Sequence, residues 1–179
     1  MKSVIWFKKD LRVEDHEALF QGLKDGPFIC LYVYESDQCQ AEEFAAWHLE
    51  FINESLADLE QSLASYGINL YRLKGMMPDV LSYVYERFPF DQLLSHEETG
   101  HELSFARDRR VKTWCQSRGV KWQEFKQFGV VRRLANRDGW ARKWHQMINA
   151  PIPPLPRDFS PAKIELNSSS ISAPELGLY

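Results

Sequence analysis

Apolar and polar positions alternate along this chain in blocks. Ser3-Val4-Ile5-Trp6-Phe7 is apolar without interruption and stops at Lys8-Lys9-Asp10, the pattern of a strand buried on both faces. Phe28 to Tyr34 is a second such run, and Ile68 to Leu73 and Phe90 to Ser95 read as a third and a fourth strand. Val120 to Phe125 alternates apolar with polar, which predicts a more exposed fifth strand at a sheet edge. Helical patterns lie between these runs. Asp15 is expected to cap a helix through Ala18-Leu19-Phe20 that Gly26-Pro27 closes. Ile52, Leu56, Leu59 and Leu63 form one apolar stripe ended by Gly67. Pro78 opens a helix with Val80, Leu81 and Val84 inward, and Phe105 to Arg118 reads as a basic helix ending at Gly119. Five strands alternating with helices predict an α/β fold, a doubly wound five-stranded parallel sheet with helices on both faces. Ligands of such sheets bind beyond the carboxyl ends of the strands. That singles out the loops 8–12, 35–37, 96–101 and 126–133.

A short helix carrying Trp140, Trp144 and Met147 follows Asp138-Gly139. From Ala150 the chain is rich in proline and then in serine, so residues 1–149 are expected to be the domain and 150–179 a linker cut off before a further domain.

Charge changes this picture in one respect. The net charge is −3, yet residues 105–145 carry twelve Lys/Arg against three Asp/Glu, a local +9 that leaves −12 for the rest. Such asymmetry points to an anionic partner, either nucleic acid or an acidic surface of another domain. Arg109, Arg110, Arg132, Arg133 and Arg137 are the candidate contacts. The three cysteines, Cys30, Cys39 and Cys115, are widely spaced and form no C-x-x-C pair, which fits a reducing cytoplasm. The chain starts directly on a strand pattern, so no signal peptide is expected, and it has no membrane-spanning apolar run.

Several chemistries are excluded by motif. There is no G-x-G-x-x-G and no G-x-x-x-x-G-K-[ST], against a dinucleotide-binding enzyme or P-loop NTPase. His96 and His101 stand five apart with Gly100 between them, so they do not share a helical face as a zinc-protease pair would, and no metal site is expected. No G-x-S-x-G elbow is present. Glu97-Glu98 could serve acid/base chemistry, cap the next helix or hold a basic partner. Asp10 and Arg12, flanking Leu11, could pair to fix their loop and its backbone groups.

Three segments go further. Val4-Ile5-Trp6-Phe7-Lys8-Lys9-Asp10-Leu11-Arg12, followed by Glu14-Asp15-His16-Glu17-Ala18-Leu19, resembles the opening signature of the DNA photolyase/cryptochrome family, with His16 where that family usually has Asn. Phe105-Ala106-Arg107-Asp108-Arg109-Arg110-Val111 looks like its A-R-D-x-x-V helix. Phe128 to Leu134, with Arg137-Asp138-Gly139-Trp140, Trp144 and the His96–Gly100 loop, is similar to a bacterial branch. The resemblance covers Met1 to about Pro154.

It implies a Rossmann-like N-terminal domain that carries no catalytic residue itself. In the family, FAD is held by a C-terminal helical domain and, in photolyases, an electron from the excited reduced flavin splits a pyrimidine dimer flipped out of DNA. The N-terminal domain often holds an antenna chromophore: a folate, deazaflavin, flavin nucleotide or lumazine. The Asn-Glu pair of folate-binding members is matched here by Leu103-Ser104. The helix Arg of deazaflavin-binding members is matched by His48. Lys8, Lys9, Asp10, Glu35, His48, His96 and Glu98 are the candidate cofactor-binding residues. The implied function is thus the antenna or scaffold domain of a photolyase-like lyase that repairs DNA as a full-length flavoprotein, the fragment alone being no enzyme. A cryptochrome-type blue-light sensor is the alternative. A stand-alone nucleotide-binding module is the second, against which stands the missing phosphate-cradling glycine loop.

Overall fold

The computed structural model describes the whole chain except residues 40, 43, 101, 128, 131–135, 153, 177 and 179. Its elements are β1 (Ser3–Phe7), α1 (Glu17–Lys24), β2 (Phe28–Glu35), α2 (Ser36–Cys39), α3 (Ala46–Ala64), β3 (Leu70–Gly75), α4 (Met77–Arg87), β4 (Gln92–His96), α5 (Glu102–Arg118), β5 (Lys121–Phe125) and α6 (Trp140–Ile148). A short 3₁₀ turn covers Pro174–Leu176. The five strands form one parallel sheet in the order β3-β2-β1-β4-β5. The chain therefore winds outward from β1 in one direction, crosses over, and continues from β4 in the other. The α/β expectation holds, and β5 is an edge strand as its alternation predicts.

Pleating divides each apolar strand between two cores. Val4, Trp6, Ile29, Leu31 and Leu93 face one layer, with Val80, Leu81 and Val84 of α4 and Val111 and Trp114 of α5. Ile5, Phe7, Cys30, Tyr32 and Leu94 face the other, with Leu19 and Leu23 of α1 and Leu56, Leu59 and Leu63 of α3. Continuous apolar strands thus signal burial on both sides rather than one. On α3 the inward stripe is Leu49, Leu56, Leu59 and Leu63, with Ile52 only partly buried.

Gly22 sits where α1 crosses β1. A Cβ there would lie 2.5 Å from Ile5 Cδ1 and 2.6 Å from Ile5 Cγ1. Ile5 is fully buried and cannot yield. Gly22→Ala is therefore expected to destabilise the fold by about 1–3 kcal/mol despite alanine's better helix propensity, measured as a lower denaturation midpoint. An unchanged midpoint would contradict the close approach.

One local reading is corrected. Asp15 is not the cap of α1; it takes a positive φ of 49° in the turn. His16 is the N-cap, its Nδ1 accepting the Leu19 amide at 3.0 Å. The polar stretch after β2 holds the short helix α2. The proline- and serine-rich tail is packed as well as polar. Ala162 N donates to Phe28 O, Ile164 N to the Tyr71 hydroxyl and Ser169 N to Arg72 O, while Arg72 N donates to Ser168 Oγ. Ile171 is buried, and its carbonyl accepts from Asn53 Nδ2. The tail thereby covers the β3 edge, whose backbone groups would otherwise be free to pair with another chain. Among the described residues, no helix is long and apolar enough to cross a membrane.

Candidate functional site: a charged crevice at the carboxyl ends of the strands

The carboxyl ends of β1, β2 and β4 meet where the strand order reverses, the place at which doubly wound sheets take ligands. A crevice of about 720 Å³ lies there. Its polar wall is Lys8, Lys9, Arg12, Glu35, Glu98 and Arg107; Tyr32, Tyr34, Phe44, His48 and Phe51 supply rings, the last three from α3 and the segment before it. This volume and this mixture of rings with a few fixed polar groups suit a small organic ligand.

Arg107 organises the floor. It is 1% exposed. Its Nη1 donates to Glu35 Oε1 at 2.7 Å and its Nη2 to Glu98 Oε2 at 2.5 Å and Asp108 Oδ1 at 2.8 Å. The guanidinium also lies over the Trp6 ring, 4.8 Å from its centroid. The planar fork of arginine lets one cation hold carboxylates from β2, the β4 loop and α5. Lys9 Nζ meets Glu98 Oε1 at 3.0 Å.

The two bridged carboxyls differ. Burial, only partly offset by Arg107, pushes Glu35 up to about 7. For Glu98 the attraction of Arg107 and Lys9 outweighs burial and holds the carboxyl below its usual range. Glu35 Oε2 has no hydrogen-bond partner among the described residues. Lys8 is buried, which lowers its ammonium pKa. Its Nζ donates to His96 O at 3.0 Å and lies 4.3 Å from the Trp6 ring centroid.

The expected binding residues separate into two groups. Lys8, Lys9, Glu35, His48 and Glu98 line the crevice. Asp10 and His96 do not; they lie behind it in a buried cluster with His16. Nor does Asp10 pair with Arg12. Asp10 Oδ1 accepts the Lys8 amide at 2.6 Å, and Oδ2 stands 2.9 Å from His16 Nε2 and 2.5 Å from His96 Nδ1. Arg12 reaches Asp15 O and Gln127 Oε1 instead. Asp10, His16 and His96 have metal-ligand side chains, but the chemistry is that of hydrogen bonds. His16 Nδ1 accepts the Leu19 amide, so Nε2 carries the proton and has no lone pair for a metal. His48 serves partly as a rim residue, its Nδ1 accepting the Ala45 amide at 3.0 Å.

Of the basic candidates, Arg109 and Arg110 are exposed on α5, and Arg110 pairs with Asp37 at 2.6 Å. Arg137 is exposed just before α6. Arg132 and Arg133 lie outside the described residues. Sequence reasoning missed Arg107 and His16 as site residues. Arg107 was detectable, because Ser104, Arg107, Val111, Trp114 and Cys115 form the inward stripe of α5, and a charge on such a stripe needs partners.

Similarity to known proteins agrees with this geometry. The DNA photolyase family matches residues 3–134. The chain is 31% identical over 128 residues to cryptochrome-1 of Arabidopsis thaliana, covering 69% of this chain and 18% of that protein. It is 30% identical over 112 residues to cryptochrome DASH of Synechocystis, covering 59% and 23%. Among solved structures, a Synechocystis cryptochrome superposes with a TM-score of 0.76 at 21% identity, covering 97% of this chain and 40% of that one. A class III photolyase from Agrobacterium tumefaciens gives 0.76 at 21% identity over 98% and 38%. An archaeal photolyase from Sulfolobus tokodaii, described with two FAD molecules and a novel light-harvesting cofactor, gives 0.72 at 18% identity over 98% and 41%. The chain spans about a fifth of the length of those curated relatives and about two fifths of those solved chains. With its opening strand signature, its A-R-D helix and its crevice at the strand ends, the chain belongs to the DNA photolyase family.

Proposed function

We propose that this chain is the chromophore-holding N-terminal domain of a photolyase- or cryptochrome-type flavoprotein, in which a separate helical domain carries the FAD. The observation that supports this most is the crevice itself. It joins an aromatic wall to buried acidic groups fixed by Arg107, and Glu35 Oε2 is left for a ligand N–H or O–H. A planar heteroaromatic ring would bury its faces against Tyr32, Phe44 and Phe51 and present its polar edge to Glu35, Lys9 and Glu98. Such a ring is what an antenna needs, since it absorbs in the near-UV or blue and passes the excitation on. The light-harvesting cofactor in the description of the Sulfolobus tokodaii photolyase fits this reading.

The full-length protein then repairs pyrimidine dimers in DNA, the flavin supplying the electron. The exposed Arg109 and Arg137 are candidate contacts to phosphate or to the helical domain. Blue-light sensing without repair is the second reading. The 31% identity to a plant cryptochrome-1 favours it as much as the 30% identity to the (6-4) photolyase of Arabidopsis thaliana favours repair.

Reconstitution tests the crevice. The chain is mixed in turn with a reduced folate, a deazaflavin, a flavin nucleotide and a lumazine, and its absorbance is recorded after gel filtration. One of them is expected to co-elute with a shifted band, and Glu35→Leu is expected to weaken its retention at least about tenfold, as losing a buried polar contact implies. Free elution of all four would defeat the antenna reading.

A further inference from the structure

The buried cluster behind the crevice ties together the two loops that carry its charged wall. Asp10 belongs to the loop after β1, His16 caps α1, and His96 ends β4. All three are at most 4% exposed. One carboxylate joins them, with Oδ1 receiving the Lys8 amide and Oδ2 facing a nitrogen of each imidazole. Lys8 Nζ closes the same junction by donating to His96 O. Lys9 stands between Lys8 and Asp10, and Glu98 two residues beyond His96; their ion pair forms part of the crevice wall.

The proton positions are fixed by chemistry. His16 Nδ1 accepts from the Leu19 amide, so the neutral ring carries its hydrogen on Nε2, 2.9 Å from Asp10 Oδ2. A ring nitrogen 2.5 Å from a carboxylate oxygen must carry the hydrogen, so His96 Nδ1–H donates to Asp10. Protonating His16 would place a second hydrogen on Nδ1, against the Leu19 N–H. Two donors would then face each other at 3.0 Å, and α1 would lose its cap.

We propose that Asp10, His16 and His96 are positioning residues for the crevice, a latch that holds the β1 and β4 loops together only while His16 is uncharged. The surroundings agree. Burial is the dominant influence on His16 and lowers its pKa, outweighing the opposing attraction of Asp10; the neighbouring His96 and Arg12 disfavour the cation further. The His16 ring is packed 4.7 Å from Phe7 and 4.3 Å from His96, centroid to centroid. Glu14, Asp15, Glu17 and Arg157 share a cavity wall with it on the other side. A folded-state histidine pKa below the unfolded value of about 6.5 means that the latch contributes fully above that pH. The contribution is lost as pH falls below 6.5 and toward the folded value. Burial opposes it, but the contacts with His16 and His96 hold the Asp10 carboxyl well below its usual range, so Asp10 stays charged over that window, while Glu35, raised to about 7, titrates above it.

The latch rests on the proposed function only for what fills the crevice, so its test uses the 179-residue chain without chromophore and a failure of chromophore binding leaves it unaffected. Imidazole ¹⁵N spectra and backbone amide spectra are recorded from pH 8 to pH 5. His16 is expected as the neutral Nε2–H form at pH 7, titrating below 6.5, with the amides of Lys9 and Glu98 shifting at the same midpoint. A charged His16 at pH 7, or crevice amides that stay still while His16 titrates, would overturn the proposal. His16→Asn keeps a cap oxygen and an N–H donor but cannot take up a proton. It is expected to fold and to lose the shared transition, and a transition that persists in it would also overturn the proposal. Should that variant not fold, the wild-type spectra still decide.

Discussion

Arg107→Met lowers the stability of this domain by about 3–5 kcal/mol at pH 7, the range found when one partner of a buried ionic network is removed. Methionine preserves much of the packing against Trp6 but leaves Glu35, Glu98 and Asp108 without the cation they share. The loss has a pH signature. Glu35, already raised to about 7 by burial, rises further without Arg107, and Glu98 loses the main attraction that keeps it low. A carboxyl whose folded pKa is raised contributes its stability below the unfolded pKa and loses it as pH rises through the folded value. The variant is therefore closest to wild type near pH 5 and furthest from it near pH 8. Denaturant titrations at the two pH values check this. A loss below about 1 kcal/mol at both, or a larger loss at pH 5, would refute the role of Arg107 as the shared counter-ion.

Trp6→Ala is expected to cost about 3–5 kcal/mol, the usual range for truncating a large buried aromatic. Trp6 is 1% exposed and lies between two cations, with Lys8 Nζ 4.3 Å and the Arg107 guanidinium 4.8 Å from its ring. Trp122 packs 6.2 Å away. Removing the ring opens a cavity and also takes away the π face over which two desolvated charges sit. Trp6→Phe keeps a smaller face and should recover more than half of the loss. Equal losses for the two variants, read from denaturant midpoints with unchanged slopes, would refute this, since a phenyl ring keeps most of the volume and a π face.

The difference between these two residues shows what the chain reveals unaided. Trp6 reads as core from its place in a continuous apolar strand, and its burial is confirmed. Arg107 reads as one more cation in a basic helix, and the count of charges between residues 105 and 145 hides that it points inward. Charge counting averages around a helix, whereas burial depends on the face. The tail gives the same lesson. Proline and serine predict a polar linker, but Ile164, Leu166 and Ile171 recur with enough spacing to cover the sheet edge. That packing depends on which strand lies at the edge.

Local pattern sufficed for the five strands, most of the helices, the α/β class and the location of a crevice at the strand ends. Each follows from a period of two or 3.6 residues or from the chirality of strand-helix-strand crossovers, which nearby residues encode. Tertiary structure alone decided the partners of the charged groups. Asp10 stands two residues from Arg12 yet binds His16 and His96, the latter 86 residues away in sequence. His48 and Glu98 reach the crevice as expected, whereas His96 lies behind it. A buried charge must be matched within hydrogen-bond reach, and the fold brings together groups from strands that the sequence keeps far apart.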